Sequence, residues 1–394
     1  MTHWTMCFVA LSLATTSAAL AQQPATPPPR TRDLGVPFDG TPGALNAITD
    51  VPGVEIGQVT ILSGSGPLVV GRGPVRTGVT AILPRGRETI TLPVFGGGFV
   101  LNGAGEMTGM AWLEESGALD GPVLLTNTHS VGTAHQAAIA WRVRQGDPDG
   151  AGYWWSTPVV AETWDGDLND INGFHVRAEH VDKALDTAEP GPVAEGNVGG
   201  GTGMICHEFK CGIGTSSRRV AMDGREHIVG VLVQANYGRR ESLRIAGVPV
   251  GQHLLGDRVN RDGKSADGDT GSIIVVIATD APLLPHQLKR IARRGALGLA
   301  RMGSFAGNGS GDIFIAFSTA NAAALHGSPL ALAELIDNGR LDPLFEATVQ
   351  ATEEAIVNAI VAARDMAGTE GHSASALPHA DLVALLEHYG RLVK

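Results

Sequence analysis

Asp257-Arg258-Val259-Asn260-Arg261-Asp262-Gly263-Lys264-Ser265-Ala266-Asp267-Gly268-Asp269-Thr270-Gly271 is polar, rich in aspartate and glycine, and without periodicity. Ser272-Ile273-Ile274-Val275-Val276-Ile277-Ala278-Thr279-Asp280 follows at once. A continuous β-branched run of this length predicts a strand covered on both faces. Its first residue is a serine, and the residue before it is a glycine at the end of a predicted loop. That is the geometry an autocatalytic N-terminal nucleophile needs. The Ser272 hydroxyl attacks the Gly271 carbonyl, the amide shifts to an ester as the C–N bond breaks and the serine's own α-amino group is freed, and hydrolysis of the ester then releases the hydroxyl and the Gly271 carboxylate. Such an amine titrates near pH 7.7–8.0, roughly, and can act as general base for its own Oγ without a histidine. On spacing alone, the simpler reading is a serine that begins a strand after a loop.

Other stretches place this strand in a larger fold. Val54 to Leu62, Gly78 to Leu83, Val123 to Thr126, His227 to Gln234 and Asp312 to Phe317 also read as strands, several of them continuous apolar runs. Helices are predicted over Gly132 to Arg144, Pro285 to Met302, Asp342 to Gly368 and Asp381 to Leu392, with Asp342-Pro343 as a start signal. Lys289, Arg290, Arg293 and Arg294 fall on one side of the second helix and predict a solvated face or partners for acidic residues. Strands and helices mix without a regular βαβ beat, which predicts a layered α/β fold with sheets buried between helices. No linker or repeat interrupts the chain, so one globular unit is expected from about Asp33 to Lys394.

Composition narrows the function. With 29 Lys and Arg against 40 Asp and Glu, the net charge is −11, which gives no electrostatic footprint for nucleic acid. Hydrophobic residues make up 43% of the chain, enough for a large core, so the bulk of it is not disordered. The 53 glycines are about twice the usual ~7%, and predict tight turns and close backbone approaches. Met1 to Ala21 carries an apolar run, Cys7 to Leu13, then Ala19-Leu20-Ala21, the pattern of a secretory signal cut before Gln22. The run is too short to span a membrane, which takes ~20 apolar residues, and residues 22–32 read as a proline-rich spacer. A periplasmic or secreted protein is expected, with no membrane contact once the signal is removed.

Cleavage there would leave Cys206 and Cys211, a loop disulfide or two buried thiols. Cys206-His207-Glu208-Phe209-Lys210-Cys211 has no second ligand pair at zinc-site spacing, so no metal is expected. Gly96-Gly97-Gly98 with Gly103-Ala104-Gly105 resembles a nucleotide loop but lacks its spacing, and Gly307 to Asp312 lacks the lysine of a phosphate loop. Asp257 to Asp269 misses the order of a calcium hand, and no serine sits in a Gly-x-Ser-x-Gly elbow with credible partners.

Longer motifs carry a resemblance. They are Asn46-Ala47-Ile48-Thr49-Asp50-Val51-Pro52-Gly53-Val54, Val159 to Gly166 with Leu168 to Gly173, Gly199-Gly200-Gly201-Thr202-Gly203-Met204, Val231 to Gly238, Gly271 to Val276 through Ala281 to Gln287, and Gly309-Ser310-Gly311-Asp312. In this order, from about Asp33 to near the C-terminus, the chain resembles the L-aminopeptidase/D-esterase family, which includes the β-peptidyl aminopeptidases. The resemblance implies a four-layer αββα sandwich and self-cleavage between Gly271 and Ser272 into an α-chain, 22–271, and a β-chain, 272–394.

It also implies site roles. Ser272 is the nucleophile and Asn236 the oxyanion donor; Ser310 and Asp312 are the supporting serine and acid. Ser310 would hydrogen-bond the Ser272 hydroxyl, and Asp312 would orient that network or pair with an ammonium. Glu162 would receive the substrate's free amine, with Trp164 in the substrate pocket. Some members carry Glu at the Asp312 position and Tyr at that of Trp164; the shorter acid alters the amine site, and Trp164 lacks a phenolic donor. The implied substrates are small peptides, amides or esters with a free N-terminus, led by a β-amino acid, a D-residue or a small L-residue. No metal or organic cofactor is implied, and the protein would assemble as a tetramer of cleaved protomers. Two other readings stand beside this one: an uncut serine hydrolase using Ser310 or Ser272 with a lysine base such as Lys264, and a non-catalytic exported binding protein of the same fold.

Overall fold

The computed structural model describes residue 1 and residues 28–146, 155–256, 258–259, 271–325 and 332–393. The expected signal beyond Met1, residues 22–27 of the expected spacer, Lys264 and most of the Asp257–Gly271 loop lie outside the described residues. The strands are β1 (Glu55–Ser63), β2 (Val75–Leu83), β3 (Val94–Gly103), β4 (Ala118–Leu119), β5 (Val123–Asn127), β6 (Val159–Thr163), β7 (Ile205–Cys206), β8 (Phe209–Lys210), β9 (Ile213–Met222), β10 (Arg225–Asn236), β11 (Ser272–Thr279) and β12 (Gly311–Ser318). The helices are α1 (Met110–Ser116), α2 (Val131–Gln145), α3 (Ala178–Asp186), α4 (Val250–His253), α5 (Pro285–Arg301), α6 (Asp342–Val361) and α7 (His379–His388).

Two sheets carry the fold. One runs β4-β3-β12-β11-β10-β9, the other β1-β2-β5-β6. Their facing sides share a core in which Ile82, Leu125 and Ala161 meet Leu232, Ile274, Val276 and Ile315. The opposite side of the large sheet, through Val231, Val233, Ile273, Val275 and Phe314, packs on Leu288, Ile291, Ala351 and Ile356 of α5 and α6. The outer side of the small sheet, through Val79, Ala81 and Leu124, packs on Ala134 and Trp141 of α2 and Val181 and Leu185 of α3. β11 is buried along its whole length, and each such Ile or Val is worth about 1.5–3 kcal/mol of burial. This accounts for the unbroken apolar runs.

Several elements depart from expectation for physical reasons. Gly96-Gly97-Gly98 is part of β3; a Cβ at Gly97 would sit 2.5 Å from the Lys289 backbone nitrogen, so this glycine lets α5 lie on the strand, while Gly96 and Gly98 make room on the other face for Leu113 and Met110. β9 hides behind polar residues that are nonetheless buried, among them Thr215, Ser216 and Arg218, with Arg218 on Glu354 at 2.7 Å. α6 stops at Val361 rather than Gly368; Met366–Ala367 instead pairs with Ser373–Ala374, and a Cβ at Gly368 would sit 2.3 Å from Leu168 Cα. The basic side of α5 is not simply solvated. Lys289 pairs with Glu114, Arg293 lies over Phe99, and Arg290 and Arg294 lie over Phe345. The folded unit also begins before Asp33, because Thr31 is buried on Asn358 and Arg30 and Arg32 pair with Glu195 and Glu354. Cys206 and Cys211 form a disulfide that closes the β7–β8 hairpin. Among the described residues, no helix is long and apolar enough to cross a membrane.

Candidate active site

The large sheet places the central residues through register. Ser272 opens β11; its antiparallel partner on β10 is Asn236, and its parallel partner on β12 is Gly311. Paired residues project to one face. Alternation along β11 puts Ile274, Val276 and Ala278 in the core between the sheets, so Ser272 and Asn236 face the end of the small sheet. Glu162 and Thr163 end β6 there, and Trp164 follows.

Ser272 is 5% exposed. Its Oγ accepts the Gly311 N–H at 3.2 Å. Ser310, one residue earlier, donates its hydroxyl proton to Asp312 Oδ1 at 2.7 Å, and both residues are buried. The hydrogen bond onto the Ser272 hydroxyl therefore comes from a backbone amide, while the Ser310 proton is directed to the acid. No side-chain motif signals the Gly311 amide, since any residue carries one.

Asn236 is held at both ends of its amide. Oδ1 accepts the Ile205 N–H at 2.8 Å, and Nδ2 donates to the Trp164 carbonyl at 2.9 Å. These two bonds settle which end is oxygen and leave one of the two Nδ2 protons uncommitted to them. Trp164 meets Asn236 through its backbone carbonyl, while its indole is 42% exposed and lies over Gly166. A Cβ at Gly271 would lie 1.9 Å from the Asn236 carbonyl oxygen and 2.5 Å from Tyr237 Cα. Glycine is required at that position because the Asn236-Tyr237 backbone passes directly against it.

Glu162 is 3% exposed, unlike a surface acid at a strand end. Its Oε1 accepts the Glu106 N–H at 3.0 Å and its Oε2 accepts the Thr128 hydroxyl. Burial raises its pKa above the ordinary glutamate value, opposed by the Thr128 and Glu106 hydrogen bonds. A Cβ at Gly105 would lie 3.2 Å from both Glu162 Oε1 and Gly311 Cα. The carboxyl thus stands one glycine's width from the residue whose amide touches Ser272. Thr128 and Gly105 were not singled out by sequence; Thr128 merely follows a buried strand, and Gly105 sits in a glycine-rich stretch.

A serine on a sheet row with an amide donor, a backbone donor and a buried carboxyl nearby has the parts for acyl transfer. The profile of peptidase family S58 matches residues 46–374. The chain belongs to that family. It is 57% identical, over 375 residues covering 92% of this chain and 93% of the relative, to the beta-peptidyl aminopeptidase BapA of Sphingosinicella microcystinivorans. The protein of the same name from Sphingosinicella xenopeptidilytica is 50% identical over 368 residues, 91% of each chain. The solved L-aminopeptidase D-Ala-esterase/amidase of Ochrobactrum anthropi, described as a variant of the Ntn hydrolase fold, superposes with a TM-score of 0.85 at 50% identity, covering 92% of this chain and 99% of that one. A Burkholderia beta-aminopeptidase gives 0.81 at 49% identity, with coverage of 92% and 99%. This family S58 member is a serine aminopeptidase hydrolase with a mixed α/β fold similar to that Ntn hydrolase variant.

Proposed function

We propose that this chain is an exported, periplasmic or secreted, aminopeptidase that cuts itself between Gly271 and Ser272 and then removes the N-terminal residue from small peptides, amides or esters with a free amine. The observation that carries the reading is the sheet row Asn236–Ser272–Gly311, with Gly271 held against the Asn236 backbone. The layers packed around the two sheets fit the αββα sandwich of a cleaved hydrolase, assembled as a tetramer of cleaved protomers.

In this mechanism Ser272 Oγ attacks the substrate carbonyl and the Ser272 α-amine accepts the proton. Asn236 Nδ2 donates to the developing oxyanion. The amine then returns the proton to the leaving group, and water hydrolyses the acyl-enzyme. Ser310 and Asp312 orient the nucleophile's surroundings, and every group required is supplied by the chain. The favoured leading residue is a β-amino acid, the class named in the 57%-identical relative, with D-residue amides or esters and small L-residues in the wider class.

Intact mass measurement with N-terminal sequencing of purified active protein tests this directly. Two chains beginning at Gln22 and Ser272 are expected; one continuous species spanning residues 271 and 272 would exclude the mechanism.

Glu162 supplies the preference for a free amine, because a capped substrate would leave a buried carboxylate unpaired. Glu162→Gln should raise KM for free-amine substrates roughly ten- to hundredfold, the worth of one charge-assisted pair. Only the ionised carboxyl binds an ammonium, so KM should also rise as pH falls through a Glu162 pKa that burial has lifted. Steady-state kinetics across pH check both, and a Gln variant with wild-type KM and wild-type pH profile would remove Glu162 from this role.

A further inference from the structure

Lys210 is a fully buried lysine in the β7–β8 hairpin, and no step above uses it. It is 0% exposed, yet a hairpin position ordinarily leaves lysine in water. Its Nζ donates to the Met204 carbonyl at 2.6 Å and to the Cys211 carbonyl at 2.5 Å. Met204 O and Ile205 N belong to a single peptide group. The N–H of that group is the donor at 2.8 Å on Asn236 Oδ1. Nζ, the Met204–Ile205 peptide and the Asn236 amide therefore form a continuous chain of hydrogen bonds, all pointing the same way, that reaches Nδ2.

The other end of Asn236 leads to a second buried segment. Trp164 O accepts from Nδ2, and the next residue, Asp165, is an acid whose pKa burial pushes up to about 7; burial pulls Lys210 well below the ordinary lysine range, which Asp165 offsets only in part. Asp165 is buried, with Asn169 Nδ2 donating to its Oδ1 at 3.0 Å. A Cβ at Gly203 would sit 2.8 Å from Asp165 Cβ, so the segment leading into Met204 lies directly against this acid. Ile205 and Lys210 are paired across the hairpin, which the Cys206–Cys211 disulfide closes. The two segments that grip Asn236, Met204–Ile205 and Trp164–Asp165, thus lie against one another.

We infer that Lys210 is a positioning residue for the oxyanion donor: its side-chain nitrogen, donating to the Met204 carbonyl, orients and polarises the Met204–Ile205 peptide, and through it the Asn236 amide. Aligned hydrogen bonds in a low-dielectric interior strengthen one another. A donor held on the Met204 carbonyl makes the Ile205 N–H a stronger donor in turn. That in turn draws charge from the Asn236 amide and makes its free Nδ2 proton a better partner for a developing negative oxygen. Such help is realised as charge builds on the substrate, so it belongs to turnover rather than to substrate binding. The inference rests on Asn236 being the oxyanion donor.

The test is a double-mutant cycle on the full-length, purified enzyme. Lys210→Met should lower kcat by about ten- to hundredfold with KM within about twofold of wild type, because part of one oxyanion donor's effect is lost. In an Asn236→Ala background the same change should cost less than about twofold, because the chain no longer has an end. A lysine that merely supports the hairpin would show losses that multiply in the double variant, or a change in KM with kcat intact; either result overturns the inference. If Lys210→Met does not fold, Lys210→Gln, which keeps a neutral donor near Met204, carries the same comparison. Undiminished kcat in Asn236→Ala alone would instead sink the oxyanion reading itself, so the two failures are told apart.

Discussion

Ser272→Ala should give a single uncut polypeptide without aminopeptidase activity. The substitution removes one oxygen from a residue that is otherwise strand backbone. β10 and β12 still pair with β11 on either side, and among the described residues the native state loses the Gly311 N–H to Oγ hydrogen bond, worth about 1 kcal/mol. Folding should therefore survive while chemistry does not. Two reactions fail together, because the same Oγ opens the Gly271 carbonyl and later the substrate carbonyl. Without the first, no α-amine is freed at position 272, and the base is lost with the nucleophile. Removal of a nucleophile from a catalytic unit costs on the order of 10⁶ in turnover. Denaturing electrophoresis and hydrolysis of a β-alanyl chromogenic amide read the two effects separately. A Ser272→Ala protein that is still cut at Gly271 would mean that another group is the nucleophile.

Asn236→Ala should lower kcat by roughly 10²–10³ with a much smaller change in KM, the usual cost of losing one oxyanion donor. The split follows from geometry: the uncommitted Nδ2 proton serves an oxygen that carries full charge only in the tetrahedral state. Alanine also leaves the buried Ile205 N–H and Trp164 carbonyl without their partner, at about 1–3 kcal/mol each, so the melting temperature should fall as well. Asn236→Asp separates the two effects. It keeps an oxygen acceptor for Ile205 but offers a negative charge where a donor is needed, and its kcat should fall at least as far as that of alanine. Single-turnover kinetics on folded protein check both, and an unchanged rate in either variant would remove Asn236 from the oxyanion role.

Strands β10, β11 and β12 were legible because both faces are buried, which writes itself into composition as unbroken Val and Ile. β3 and β9 were not, because their glycines and polar residues answer to neighbours distant in sequence: α5 lying on Gly97, and Glu354 reaching Arg218. Ser272, Asn236, Glu162, Ser310 and Asp312 were named through family-length motifs; spacing alone would have left each of them a turn or strand-end residue. Lys210 and Thr128 carried no signal at all. A lysine in a hairpin looks like a surface residue until its two carbonyl partners are seen: Cys211 is its neighbour in the chain, but Met204, six residues earlier, reaches it only because the hairpin closes.

From its residues alone this protein declared a polar, glycine-rich stretch that ends at Gly271, a serine at the head of a buried strand, and a net charge of −11. Those features are local: they depend on side-chain size, charge and backbone freedom at successive positions. The register that sets Asn236 and Gly311 on either side of Ser272, the burial of Glu162 and the hydrogen-bond chain behind Asn236 were decided only by the folded chain. They join residues far apart along the polypeptide, where the energy of pairing and desolvation depends on distances that no local pattern encodes.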